Sequence, residues 1–267
     1  SKDMKTPFII DAHVHTGFPN IFFSPEVDAE QLLKRMDRFG IACSVNLSSM
    51  RAIIGYRKQE LVKAKNEFEQ SDGRIFYLGF FNPKDVKSDL AILKEARSWP
   101  GFKGIKIHPS FNGVPADDPL YEPVWRFASE NDLTVVAHSW SVSTYNPAQM
   151  LSTPEKFEKY AKEYPDVRFV LAHSGGRGTG RHEAIRMANT YKNVYTDCAG
   201  DIYDYHYFEG MIISLPQNKL LFGTDFPWFD YRSHLTRLFL ADIPDSHKQK
   251  ILRDNAIDAF KLKEDLQ

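Results

Sequence analysis

Cysteine is nearly absent from this chain: Cys43 and Cys198 are the only two among 267 residues, far apart and each inside an apolar run. Two cysteines build no disulfide framework, and with no CxxC pair they offer no thiolate metal site, so a reducing compartment is expected. An excess of charge of one sign is also missing, with 34 Lys and Arg against 35 Asp and Glu. That balance gives no reason to expect a nucleic acid or an anionic membrane as partner. No apolar run approaches the ~18 residues of a membrane span, and no signal-peptide core precedes the first strand-like segment. A cytoplasmic protein is expected. Finally, no Pro/Gly/Ser-rich linker, low-complexity stretch or shift in composition divides the chain.

What is present is a repeated pairing of two patterns. Phe8–His15 reads as a buried strand ending in polar residues, and residues 26–39 follow with helical spacing up to Gly40. The pairing recurs through strand-like runs at Ile41–Leu47, Ile75–Phe81, Phe102–Ile107, Leu133–Ala137, Val167–Ala172, Val194–Cys198 and Lys219–Phe222, each followed by a helical segment. Runs such as Thr134-Val135-Val136-Ala137 are continuously apolar, as parallel strands buried on both faces are. Eight such units without a linker predict one (β/α)8 TIM barrel, a single domain over residues 1–267; an open doubly wound sheet is the alternative.

In a barrel, chemistry is built at the C-terminal strand ends. Those ends carry His13 and His15, Lys106 and His108, His138, His173, Asp197 and Asp225. His13-x-His15 places two imidazoles on one face of a strand. Taken singly, His138 or His173 reads as an ordinary core histidine, and Asp225 as a turn cap. Converging on one barrel mouth, four histidines and a carboxylate are unfavourable to bury without a cation to satisfy them. The glycine-rich run Gly175–Gly180, with Asp197 about 20 residues on, imitates a dinucleotide fingerprint. Its spacing fails, because Arg181 stands where a small residue is needed, and it follows the sixth strand, not the first. Binding of a phosphate or carboxylate by its backbone N–H groups stays open.

These residues resemble the metal-site pattern of the amidohydrolase superfamily. The closer resemblance is to the branch that includes aminocarboxymuconate-semialdehyde decarboxylase and many metal-dependent hydrolases. Gly104-Ile105-Lys106-Ile107-His108-Pro109, Ala172-His173-Ser174-Gly175-Gly176, Gly223-Thr224-Asp225-Phe226-Pro227 and the closing Ile251–Ala256 carry it, from Phe8 to Phe260. The resemblance implies one divalent metal, zinc in most such sites, held by His13, His15, His138 and Asp225. Asp225 would also relay protons, and His173 would be the acid/base or electrophile. Lys106, with His108, resembles the dihydroorotase segment whose lysine is carboxylated and bridges a second metal; otherwise Lys106 pairs with Asp225 or with a substrate carboxylate.

The substrate is expected to be a small carboxylate-bearing molecule. Arg177 could clamp its carboxylate and Trp140 and Trp228 line an apolar pocket, with Arg51, Arg232, Phe18 and Tyr145 also past strand ends. The expected function is metal-dependent hydrolysis of an amide, ester or lactone bond by metal-activated water. The alternatives are metal-dependent non-oxidative decarboxylation and a metal-free binding barrel. The sequence is compatible with a homo-oligomer.

Overall fold

Eight parallel strands, hydrogen-bonded in chain order, form the protein's only sheet among the residues described, 8–17 and 25–267 of a computed structural model. They are β1 (Ile9–Val14), β2 (Ile41–Asn46), β3 (Ile75–Phe80), β4 (Phe102–Ile107), β5 (Thr134–His138), β6 (Phe169–Ala172), β7 (Val194–Asp197) and β8 (Leu220–Leu221). Helices follow the strands around the outside, among them Ala29–Phe39, Arg57–Gln70, Val86–Ala96, Glu122–Glu130, Thr179–Thr190 and Tyr231–Phe239. Phe18 lies outside the described residues. No helix among the described residues is long and apolar enough to cross a membrane.

The last seam is closed mostly by loop backbone, because β8 is only two residues long. Ala12 N–H donates to Phe222 O (2.9 Å), Asp225 N–H to His13 O (2.8 Å) and His15 N–H to Phe226 O (2.7 Å). These bonds turn the open sheet into a barrel, and they run through the same residues that the sequence marks for chemistry. The expectation of a (β/α)8 barrel is therefore met, and the open-sheet alternative is not.

Two apolar layers hold the barrel. Its interior is filled by Ile10, Ala12, Val45, Leu78, Val136 and Val170, with Phe260 and Leu262 packed into the same cluster. The outer layer, between strands and helices, includes Val14, Leu32, Ile105, Trp125 and Phe169. On β1 the filling residues Ile10 and Ala12 are followed by Val14 in the outer layer, and the register with β2 slips between Asp11 and Val14. A slip of this kind reverses the inward parity of a strand. It is what turns His13 and His15 to the interior above Ala12.

Gly104, which opens the Gly-x-Lys-x-His segment, is required by strand spacing. It pairs with Thr134 across β4 and β5, and a Cβ built on it would lie 2.0 Å from Thr134 O. A methyl group there has to push two central strands apart. Gly104→Ala is expected to destabilise the barrel by about 3 kcal/mol, a fall of roughly 6–12 °C in the thermal midpoint. A melting curve superimposable on wild type would show that β4 has room the geometry denies.

Candidate metal centre

Three ligand atoms meet at the floor of the barrel mouth. Asp225 Oδ1 lies 3.0 Å from His13 Nε2 and 3.0 Å from His15 Nε2, and the two nitrogens are 3.3 Å apart. The tautomers follow from the other edge of each ring. His15 Nδ1 donates to Ser48 O at 2.6 Å, and a carbonyl only accepts. His13 Nδ1 donates to Asp197 Oδ2 at 2.9 Å. Each ring therefore presents Nε2 to Asp225 Oδ1, and an Nε2 that carries no proton turns a lone pair toward that oxygen. A single proton can serve only part of this arrangement, whereas one cation serves all three atoms.

The spacing suits a cation. Ligand atoms at ~2.0–2.1 Å from a common ion are about 2.9 Å apart at right angles and about 3.4 Å apart in a tetrahedron. The observed separations fall between these, so they fit a divalent ion without choosing between zinc and a six-coordinate metal. Electrostatics agrees. Burial opposes charge on His13, but Asp197 and Asp225 outweigh it and raise the imidazole to about 9. Asp225, despite burial that pushes the other way, is held well below the usual carboxylate range, chiefly by the charge of His13.

Around the triad, second partners fix the geometry. Asp197 at the end of β7 accepts from His13 Nδ1 with one oxygen and from the backbone N–H groups of His173 (2.8 Å) and Ala199 (3.0 Å) with the other. Asp11 accepts from Thr224 Oγ1 (2.6 Å), Thr224 N–H (3.1 Å) and His13 N–H (3.1 Å), tying β1 to the turn that carries Asp225. Ser48, His173, Ser174 and Asp225 all have positive φ, between 48° and 88°. Non-glycine residues in that region carry strain, and four of them around one cluster mark a site shaped for its side chains.

The other candidates divide into those at the pocket and those away from it. His173 donates Nδ1–H to Ala199 O (2.7 Å), which leaves Nε2 as its titrating atom; burial lowers its imidazole. Its ring centroid is 5.0 Å from that of His13. Lys106 is nearly buried in the pocket wall, where desolvation lowers it to about 8 against the pull of Asp225 and Asp197. His138 lines the pocket, but its Nε2 is 2.7 Å from Gln149 Oε1, and it is not among the atoms that gather with His13, His15 and Asp225. His108 lies flat on His138, with centroids 3.9 Å apart and planes at 6°. Burial holds both rings well below their ordinary range, and His108 joins neither of the two groups of ligand-spaced side chains. Trp228 lines the pocket with its ring 4.6 Å from that of His15.

Trp140 and Arg177 do not reach the pocket wall. Trp140 stands edge-on behind His173, at 5.6 Å, and Arg177 lies over the Trp140 ring at 5.8 Å while pairing with Asp201 at 2.9 Å. Arg51 and Arg232 are likewise turned to Glu60 and Asp230, and Tyr145 is 99% exposed. The glycine-rich run ties both its ends to neighbouring serines: Gly175 N–H donates to Ser139 Oγ (3.1 Å) and Gly180 N–H to Ser141 Oγ (2.9 Å).

The comparisons with known proteins fit this geometry. The family model described as Amidohydrolase matches residues 10–262. No curated protein matches. Among solved structures, 2,6-dihydroxybenzoate decarboxylase from Rhizobium superposes with a TM-score of 0.74 at 15% identity, covering 96% of this chain and 99% of that one. 5-carboxyvanillate decarboxylase from Novosphingobium aromaticivorans, complexed with manganese and 4-hydroxy-3-methoxy-5-nitrobenzoic acid, gives 0.75 at 13% identity, covering 96% of each chain. Dihydroxybenzoic acid decarboxylase from Polaromonas, with bound manganese and 2-nitroresorcinol, gives 0.73 at 14% identity over 96% and 97% of the two chains. At these identities the likeness is one of fold.

Proposed function

The chain belongs to the amidohydrolase family, and from that premise we propose that it is a metal-dependent decarboxylase of a small aromatic carboxylic acid. The observation that carries the reading is the meeting of Asp225 Oδ1 with two imidazole nitrogens at the floor of a pocket whose walls are largely apolar. His13, His15 and Asp225 would hold the ion; His138 stands outside their ligand spacing, with Nε2 on Gln149. A divalent cation held there supplies positive charge for the oxygens of an acid substrate.

The remaining work falls to the chain's own residues. Lys106, lowered to about 8 by burial, is still mostly an ammonium at neutral pH, and it pairs with the substrate carboxylate. Leu47, Met50, Ile53, Phe80, Phe111 and Trp228 line the rest of the pocket and thin the water around that carboxylate. Loss of hydration favours a charge that disperses as CO2 departs. With Nδ1–H on Ala199 O, the resting His173 ring is neutral and takes up at Nε2 the proton that the entering carboxylic acid gives up; burial disfavours the imidazolium and makes it ready to release that proton. The proton goes to the ring carbon bearing the carboxylate. The bond to the carboxyl carbon then breaks, CO2 leaves, and the electron pair of that bond returns to the ring. One proton enters and one CO2 leaves.

Hydrolysis by the same cluster would consume water and release no gas. The decarboxylases found over 96% of this chain support decarboxylation ahead of it. The test is to load the protein with Mn2+ or Zn2+, offer a panel of hydroxylated benzoic acids, and measure CO2 against loss of acid. CO2 equal to the acid consumed, abolished by a chelator, is the expected result. Turnover of an amide or lactone without CO2 would replace the decarboxylase with a hydrolase. Absence of any metal uptake would reduce the barrel to a binding protein.

A further inference from the structure

His108 follows β4 two residues after Lys106, and both line the pocket. Its ring is held on more than one side. Phe111 N–H donates to its Nδ1 at 3.1 Å, the Phe111 ring stacks on it at 4.0 Å, and His138 stacks on it at 3.9 Å. A backbone N–H only donates, so Nδ1 keeps its lone pair and the one proton of the neutral imidazole is on Nε2. That Nε2–H has no hydrogen-bond partner among the described residues, although the residue is only 8% exposed. Open to the pocket and fixed in direction, this donor is met by solvent until a ligand oxygen takes its place. Lys106 offers the opposite kind of group, a rotatable point charge that any anion satisfies.

We infer that His108 is a specificity-determining residue, a directionally fixed neutral donor that reads a substrate oxygen other than the carboxylate held by Lys106. The class selected is a carboxylic acid whose ring carries a hydroxyl or carbonyl oxygen, in preference to the same acid without it. This rests on the reading of the pocket as the site of an aromatic acid, but it does not require that the acid be decarboxylated.

The test is equilibrium binding by calorimetry to the metal-loaded protein, using benzoate and its 2-, 3- and 4-hydroxy derivatives. Wild type is expected to bind one hydroxy isomer about tenfold more tightly than benzoate. His108→Asn keeps a side-chain acceptor for the Phe111 N–H but is too short to reach the ligand, and it should bind that isomer and benzoate alike. His108→Gln carries its amide N–H to the position of Nε2 and should recover most of the preference. A lost contact of purely structural origin would weaken all four acids together. The wild-type ring is read independently by long-range ¹H–¹⁵N correlation, where an Nε2–H tautomer whose proton shifts on adding the preferred isomer is expected. An Nδ1–H tautomer, equal binding of all four acids by wild type, or a preference unchanged in His108→Asn would each overturn the inference. If none of the four binds, the aromatic-acid reading falls with it; binding without CO2 release removes only the decarboxylase.

Discussion

Asp225→Asn is expected to turn over at least about a hundredfold more slowly than wild type, with its circular dichroism unchanged. The substitution keeps the size of the side chain and one of its oxygens. It removes the negative charge that two imidazole nitrogens face at 3.0 Å. An amide oxygen is a poor partner for a divalent cation beside them and takes up no proton near neutral pH. The range for such a loss is about 10² to 10⁴ in rate, or roughly 3 to 5 kcal/mol of transition-state stabilisation. Metal affinity should fall as well, because only His13 and His15 of that ligand-spaced group then remain. The fold should survive, since the seam bond at this residue uses its backbone N–H and not its side chain. The measurement is kcat on the acid that releases CO2 fastest, with metal content per chain. Turnover near the wild-type rate would leave Asp225 as a turn residue and end the proposed chemistry.

His13→Ala and His15→Ala should both lose the metal, yet differ in stability. Each takes one of three converging ligand atoms, and two are too few to hold an ion against dialysis. Beyond its packing on Trp228, His15 bonds Ser48 O with its second nitrogen, a carbonyl that water can reach once the ring is gone. His13 is the partner of Asp197, which is 1% exposed. Removing it leaves a buried carboxylate with its backbone donors but no counter-charge, a loss of about 3 kcal/mol. With metal stripped from both, His13→Ala should therefore melt several degrees below His15→Ala. Full metal occupancy in either variant would remove β1 from the ligand set, and equal melting points would deny Asp197 its role as the partner of His13.

The positions of His13, His15, His173 and Asp225 at strand ends were legible because a parallel barrel imposes them. Apolar runs of four to six residues mark the strands, and the polar residues at the end of each run have to face the mouth. Element boundaries agreed within a few residues, Phe102–Ile107 without any shift. Pairings across the sheet were not legible. Asp197 stands at a strand end in the sequence, but nothing local says that it takes His13, 184 residues away, on one oxygen and two backbone N–H groups on the other. Gln149 belongs to a short 3-10 segment with no periodic pattern, so its hold on His138 leaves no trace in composition. Arg177 follows His173 closely in sequence, but the turn between them, with glycines at φ of 72° and 74°, carries it outward to Asp201. Nearness along the chain is a poor guide where glycine can reverse direction.

The seam between the first and last strands governs how the protein acquires its chemistry. His13 and His15 are synthesised some 210 residues ahead of Asp225. The three atoms stand together only when Asp225 N–H and His15 N–H have closed the barrel. Until then a nascent chain has two histidines on an open edge and no cation site worth the name. Because ring closure and ligand assembly are one event, any ion that binds the finished cluster also pins the most sequence-distant contact in the sheet. Depleting the metal during growth should thus show first as barrels that breathe at the β1–β8 junction, before any helix on the far side loosens.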